Sequence, residues 1–151
     1  MNINVIGIGI MGSQISALLK LCGYKVHIYT KSEFNIGRLQ KDVNLLRKVL
    51  KLRDVSADFR FCSDLGDLVD GLTIETVYED LYLKKEIYYQ VRKKHGGLYA
   101  TNSSSINPSD IGDDVLGIHF FNPINIGLVE LAANGINLNQ PEISEFIFSL
   151  S

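Results

Sequence analysis

Val5-Ile6-Gly7-Ile8-Gly9-Ile10-Met11-Gly12 decides the fold. A run of β-formers, Ile3 to Ile6, stops at Gly7, and an apolar helical pattern begins at once after the glycines. The glycines fall at the G-x-G-x-x-G spacing, and each has its own physical task. Gly7 permits the tight strand-to-helix turn, Gly9 lets a pyrophosphate approach the backbone, and Gly12 lets the helix pack close to the strand. The helix N-terminus then offers N–H groups and positive dipole potential to phosphates. Glycine-rich turns are common, and a purely structural βα turn is the plain alternative. With a strand before and a helix after, the stretch reads as a dinucleotide-binding loop.

Working outward, Asn2–Gly7 is expected to be a buried parallel strand, because its apolar run does not alternate. A helix is expected over Met11–Leu21, with Ile15, Leu18, Leu19 and Cys22 as its inward stripe and Gly23 ending it at the C′ position. Lys25–Tyr29 reads as strand two. An acidic residue at its end would hold the ribose 2′-hydroxyl of NAD. This chain has Thr30-Lys31-Ser32, with Glu33 just beyond. A hydroxyl plus a cation also tolerates a 2′-phosphate, so NAD is expected with NADP left open.

A basic helix is expected over Leu39–Arg53, its apolar stripe made by Leu39, Val43, Leu46 and Leu50. Its charges read first as a solvated face, and otherwise as a contact for an anionic ligand such as the phosphates of coenzyme A. Strands are expected at Asp58–Cys62, Leu72–Val77, Leu98–Thr101, Val115–Phe121 and Leu128–Ala132. A helix over Leu81–Lys94 should turn Leu83, Ile87 and Val91 inward, and Pro141 should open a last helix. The fold class is therefore α/β: a Rossmann-type doubly wound, mostly parallel sheet in one domain over residues 1–151, incomplete at its C-terminal end. Ligands of such sheets lie beyond the carboxyl ends of the strands. The notable polar residues fall there: the glycine loop, Thr30, Glu79, Asn102 to Ser104, and His119.

Composition narrows the function. With 151 residues, 46% hydrophobic, the chain can bury a core. A net charge of −2 argues against a nucleic-acid binder driven by bulk charge. No apolar run approaches the ~20 residues that span a bilayer, so no membrane partner is expected. Two cysteines, Cys22 and Cys62, suit neither a disulfide framework nor a zinc site, and no metal is expected. The first strand begins at residue 2 or 3, which sets the expectation of no leader peptide and a cytoplasmic location.

Two ionisable residues stand inside apolar strands. His119 sits in the run Gly117-Ile118-His119-Phe120-Phe121-Asn122-Pro123, and Glu130 lies within Leu128-Val129-Glu130-Leu131-Ala132. A lone histidine on such a strand is ordinarily a satisfied core residue, and Glu130 on an edge strand would simply face water. The functional reading pairs them: a carboxylate bonded to one imidazole nitrogen fixes the tautomer, and the other nitrogen accepts a hydroxyl proton. Removing that proton while a nicotinamide takes hydride is alcohol oxidation. Ser104 is a candidate donor to the substrate oxygen, and otherwise part of a serine-rich turn. Asn102 bonds the nicotinamide ribose or caps that turn. A Ser-His-Asp hydrolase is disfavoured, since no G-x-S-x-G elbow is present.

Taken together, these motifs resemble the L-3-hydroxyacyl-CoA dehydrogenase family, including bacterial 3-hydroxybutyryl-CoA dehydrogenases. GIGIMG resembles the family's GxGxMG and adds Met11 to the nucleotide loop; IETVYEDLYLKKEI resembles IEAVxExxxxKxxx, placing Glu79 and Lys84 on its Glu and Lys. TNSSSI resembles SNTSSL, with Asn102 and Ser104 on its Asn and site serine, and GIHFFNPINIGLVEL resembles GxHFFNPxxxMxLVEV, with His119 and Glu130 on its catalytic pair. The resemblance implies NAD-linked interconversion of 3-hydroxyacyl-CoA and 3-ketoacyl-CoA. It implies cofactor contacts from Gly7, Gly9, Met11, Gly12, Thr30, Glu79, Lys84 and Asn102, and catalytic roles for His119, Glu130 and Ser104. The departures are Thr30 for an acidic residue, Gly71 for Asp and Thr76 for Ala. The family's helical second domain, with its dimer contacts and acyl pocket, is expected to lie outside these 151 residues. A homo-oligomer or a separate chain supplying that domain is therefore the expected partner, beside an acyl-CoA-type substrate.

Overall fold

The central sheet has seven strands in the order β3-β2-β1-β4-β5-β6-β7. The computed structural model describes residues 1–31, 36–51 and 58–150. The strands are β1 (Asn2–Ile6), β2 (Lys25–Tyr29), β3 (Arg60–Cys62), β4 (Gly71–Glu75), β5 (Gly97–Thr101), β6 (Val115–Phe120) and β7 (Val129–Ala132). All neighbours pair in parallel except β6 with β7, which is antiparallel. The helices are α1 (Ile10–Leu21), α2 (Ile36–Val49), α3 (Leu81–Arg92), α4 (Pro108–Ile111) and α5 (Pro141–Ser149). The order reverses between β1 and β4, and β1 carries the glycine turn, so the topological switch point lies where the sequence motif lies.

Both faces of the sheet are covered, and alternation along β1 shows how. Ile3 and Val5 join a core with Ile15 and Leu19 of α1, Val43 and Leu46 of α2 and Phe146 of α5. Ile6 turns to a second core with Ile87, Tyr88 and Val91 of α3 and Ile111 of α4. Asn4, on that second face and fully buried, is satisfied by Val69 O at 2.7 Å and Thr73 Oγ1 at 3.0 Å. Helix α1 ends as expected: Gly23 takes φ +90°, and Gly23 N and Tyr24 N donate back to Lys20 O and Leu19 O, a Schellman closure.

Three helix faces differ from the sequence expectation. On α1, Ile15 and Leu19 are buried, but Cys22 is the exposed C-cap rather than part of the stripe. Helix α2 starts at Ile36, one turn early, and stops at Val49, so Leu50 is exposed beyond its end; Leu52 and Arg53 lie outside the described residues. On α3 the inward residues are Lys84, Ile87, Tyr88 and Val91, and Leu83 is 36% exposed. A stripe inferred from apolar residues alone misplaces the helix face when a buried cation occupies one of its positions.

Candidate active site

The turn after β1 shows why each glycine is there. Gly7 takes φ +91°, a left-handed conformation that side chains disfavour. A Cβ on Gly12 would lie 2.2 Å from Gly7 O and 2.5 Å from Thr76 Oγ1, so only glycine lets α1 sit this close to the strands. A Cβ on Gly9 would meet nothing within 4 Å. No protein atom requires glycine there; the open space over Gly9 is room for a ligand. Gly9 is also the N-cap of α1 and makes no side-chain cap, and the first turn holds no acidic residue. The donors at this helix end face a cleft.

That cleft has a volume of about 1050 Å³ and runs over the carboxyl ends of β1, β2 and β4. Gly7, Gly9 and Met11 form its floor, Thr30 and Lys31 the end beyond β2, and Val77, Tyr78 and Leu83 another wall. A second cleft of about 290 Å³ continues from it, sharing Met11, Thr76 and Val77. It is lined by Glu79, Lys84, Asn102, Ser104 and His119, so every expected site residue except Gly12 and Glu130 lines one cleft or the other. Glu33, the alternative ribose contact, lies outside the described residues.

His119 and Glu130 are opposed across β6 and β7 by the register of the antiparallel pair. His119 Nδ1 lies 3.5 Å from Glu130 Oε2, and the imidazole is 22% exposed. The distance is that of an ion pair rather than the expected hydrogen bond. The carboxylate is 68% exposed, because β7 is the edge strand and water reaches its outer side. The Phe121 ring packs against the imidazole, centroids 4.4 Å apart, and orients it.

The second cleft is braced by Glu79 and Lys84, which the sequence reading named as cofactor contacts, and by Glu75, which it did not find. Glu75, at the end of β4, is completely buried. Its Oε1 accepts from Lys84 Nζ at 2.7 Å and Val77 N at 2.6 Å, and its Oε2 accepts from Thr101 Oγ1 at 2.9 Å. Burial pushes the Glu75 carboxyl up, against the pull of the Lys84 ammonium. Lys84 is 1% exposed and also lies 3.2 Å from Glu79 Oε2. Glu79 Oε1 in turn accepts from Ser103 Oγ at 2.8 Å and Ser104 N at 2.9 Å. Partial burial would raise the Glu79 carboxyl, but those hydrogen bonds and Lys84 bring it down to about 2. Glu79 and Lys84 thus hold the serine turn in place, with their charges directed at protein groups. Asn102 works the same way: its Oδ1 accepts from Phe120 N at 2.9 Å, fixing the serine turn to the strand end that presents His119.

Glu75 had the same signal as Glu130, a carboxylate inside an apolar strand, and the rule that such a group needs a partner would have found it. Thr76 was visible only as a departure from the family pattern. Its hydroxyl donates to Gly7 O at 2.9 Å, tying β4 to the glycine turn.

A doubly wound sheet with an open glycine turn at its switch point, and a polar cleft continuing from it, defines a dinucleotide-binding α/β domain. The chain belongs to the family of the 3-hydroxyacyl-CoA dehydrogenase NAD binding domain, whose model matches residues 2–136. NAD is the cofactor of that family's domain. A 3-hydroxybutyryl-CoA dehydrogenase of Clostridioides difficile is 31% identical, the alignment covering all of this chain and 60% of that protein. Among solved structures, M. tuberculosis FadB2 is 31% identical with a TM-score of 0.76, over 86% of this chain and 53% of its own. A diketoreductase acting on dicarbonyl compounds is 27% identical with a TM-score of 0.72, over 99% of this chain and 60% of its own. The chain therefore spans little more than half the length of these relatives.

Proposed function

We propose that this chain is the nucleotide-binding part of an L-3-hydroxyacyl-CoA dehydrogenase, interconverting 3-hydroxyacyl-CoA and 3-ketoacyl-CoA with His119 as acid and base. The observation that carries the reading is the contact of His119 with Glu130 at the mouth of a cleft continuous with the glycine turn. Gly7 and Gly9, with the N-terminus of α1, hold the pyrophosphate, Gly12 lets that helix pack close to the strand, and Met11 and Thr30 line the remaining nucleotide path. Bound NAD supplies the acceptor for hydride, and its reduced form the donor.

His119 Nε2 takes the proton from the substrate hydroxyl in oxidation and returns it in reduction. Glu130, on Nδ1, holds the tautomer and offsets the charge of the imidazolium. Ser104 donates to the substrate oxygen as charge develops there. Asn102, Glu79 and Lys84 keep Ser104 and His119 at a fixed separation. The part of the family that these 151 residues do not span would supply the acyl pocket.

The test is NADH oxidation with acetoacetyl-CoA, by the chain alone and with a chain carrying the family's helical domain. His119→Ala is expected to keep NADH affinity and lose turnover by about 10²- to 10⁴-fold. Unchanged turnover in that variant would remove histidine from the chemistry. A second reading, reduction of a carbonyl that carries no coenzyme A, is favoured by the likeness to the diketoreductase. A dicarbonyl turned over faster than acetoacetyl-CoA would select it.

A further inference from the structure

We infer that Glu75 is a positioning residue for Ser104: from the end of β4 it holds the serine turn by two separate arms of hydrogen bonds, and so fixes where the Ser104 hydroxyl meets the substrate oxygen. The inference rests on the proposed role of Ser104 as donor to that oxygen. One arm leaves Glu75 Oε2. That oxygen accepts from the fully buried Thr101 Oγ1, which in turn accepts from Ser103 N at 3.2 Å. The other arm leaves Oε1 and runs through Lys84 to Glu79, whose Oε1 accepts from Ser103 Oγ and Ser104 N. The arms meet at Ser103, so β4, α3 and β5 close a ring under the turn, and Glu75 is where the arms part. Its main chain adds a further hold, the Glu75 carbonyl accepting from Asn102 N at 3.0 Å.

The ring fixes the Ser104 backbone and leaves its side chain loosely held. Ser104 N lies 2.9 Å from Glu79 Oε1, whereas the Ser104 hydroxyl lies 3.4 Å from that same oxygen, which has two shorter donors. The residue is exposed and lines the cleft beside His119, so its hydroxyl can turn to a ligand at little cost. Glu75 lines neither cleft and acts only through its partners. A buried ion pair adds little stability over apolar side chains of the same size. What it supplies here is direction, since each carboxylate oxygen is committed to a different arm.

Glu75→Gln keeps the shape and removes the charge. Whichever way the amide lies, one arm loses its acceptor. The experiment is steady-state reduction of acetoacetyl-CoA by NADH, run with a chain carrying the family's helical domain. The expected result is a kcat lower by about tenfold, the worth of one hydrogen bond. The KM for acetoacetyl-CoA and the NADH Kd should each stay within about threefold, because Ser104 acts as charge develops. In a Ser104→Ala background the same change should lower kcat by less than about twofold, since the group it positions is gone. Thr101→Val cuts one arm and leaves the ion pair, and serves if the amide variant does not fold. Its loss in kcat, about threefold, should also vanish in Ser104→Ala. Losses that multiply in the double variants overturn the inference, as does a raised KM with kcat intact. Absence of turnover in the unaltered chain counts against the proposed function, and amide hydrogen exchange in the 151-residue chain then reads the clamp directly. Exchange at Ser103 and Ser104 about tenfold faster in Glu75→Gln, with α1 unchanged, supports it. Equal exchange in the two chains overturns it.

Discussion

A Cβ on Gly12 would press on Gly7 O at 2.2 Å, whereas one on Gly9 meets no protein atom. The two substitutions should therefore separate folding from binding. Gly12→Ala is expected to destabilise the chain by about 1–3 kcal/mol or more, as overpacking does, and thermal unfolding measures it. Gly9→Ala is expected to leave the Tm unchanged and weaken NADH by about tenfold or more in a binding titration, because its methyl group occupies the phosphate's approach. Both glycines were legible in the sequence, because the spacing of a βα turn fixes which residue faces the helix and which the ligand. Glu75 was not recognised, and Lys84 was placed at the cofactor rather than in the core: the apolar patterning that finds a core passes over a buried ion pair, which the sequence marks only by partners nine residues apart.

At the scale of elements, β4, α3 and the turn after β5 are joined through one chain of charge. Glu75 accepts from Lys84, Lys84 reaches Glu79, and Glu79 gathers Ser103 and Ser104. Removing Lys84 leaves a buried carboxylate without its cation. Lys84→Met is expected to cost about 3–5 kcal/mol in denaturant unfolding, and the double variant Glu75→Leu with Lys84→Met to recover most of that loss. Glu79 gives a pH signature. Its carboxyl sits at about 2 against an ordinary 4.5, so its contribution to stability is full above about pH 4.5 and is lost as the pH falls towards 2. Glu79→Gln should flatten that part of the acid unfolding curve, read by circular dichroism. The strands themselves were readable to within a residue or two, since buried parallel strands are short unbroken apolar runs. The helix faces were readable only where no polar residue had been turned inward.

Across the whole molecule, the strand ends of β1, β2 and β4 make one cleft, and those of β4, β5 and β6 the next. Ligand in the larger cleft should thus be felt by the entire sheet. NADH at about a hundred times its Kd adds about 2.7 kcal/mol to the folded state, a rise in Tm of about 5–10 °C for a domain of this size. At the same NADH concentration, Gly9→Ala should cut the rise by about half or more in differential scanning calorimetry. The convergence of five strand ends was foreseeable from topology alone, because parallel strands all deliver their last residues to one side. The direction of β7 was not, for its short sequence reads the same whichever way it runs.

That direction has a consequence for how such a chain could change over generations. His119 meets Glu130 because the strands are counted off from a shared turn, and side chains on a strand alternate between its two sides. One codon gained or lost between positions 120 and 129, if absorbed as a slip, would carry the acidic group through to the opposite surface. On the proposed chemistry the nucleotide would still be bound while proton transfer ceased, so a catalyst and an inert receptor for the same small molecule would stand a single indel apart.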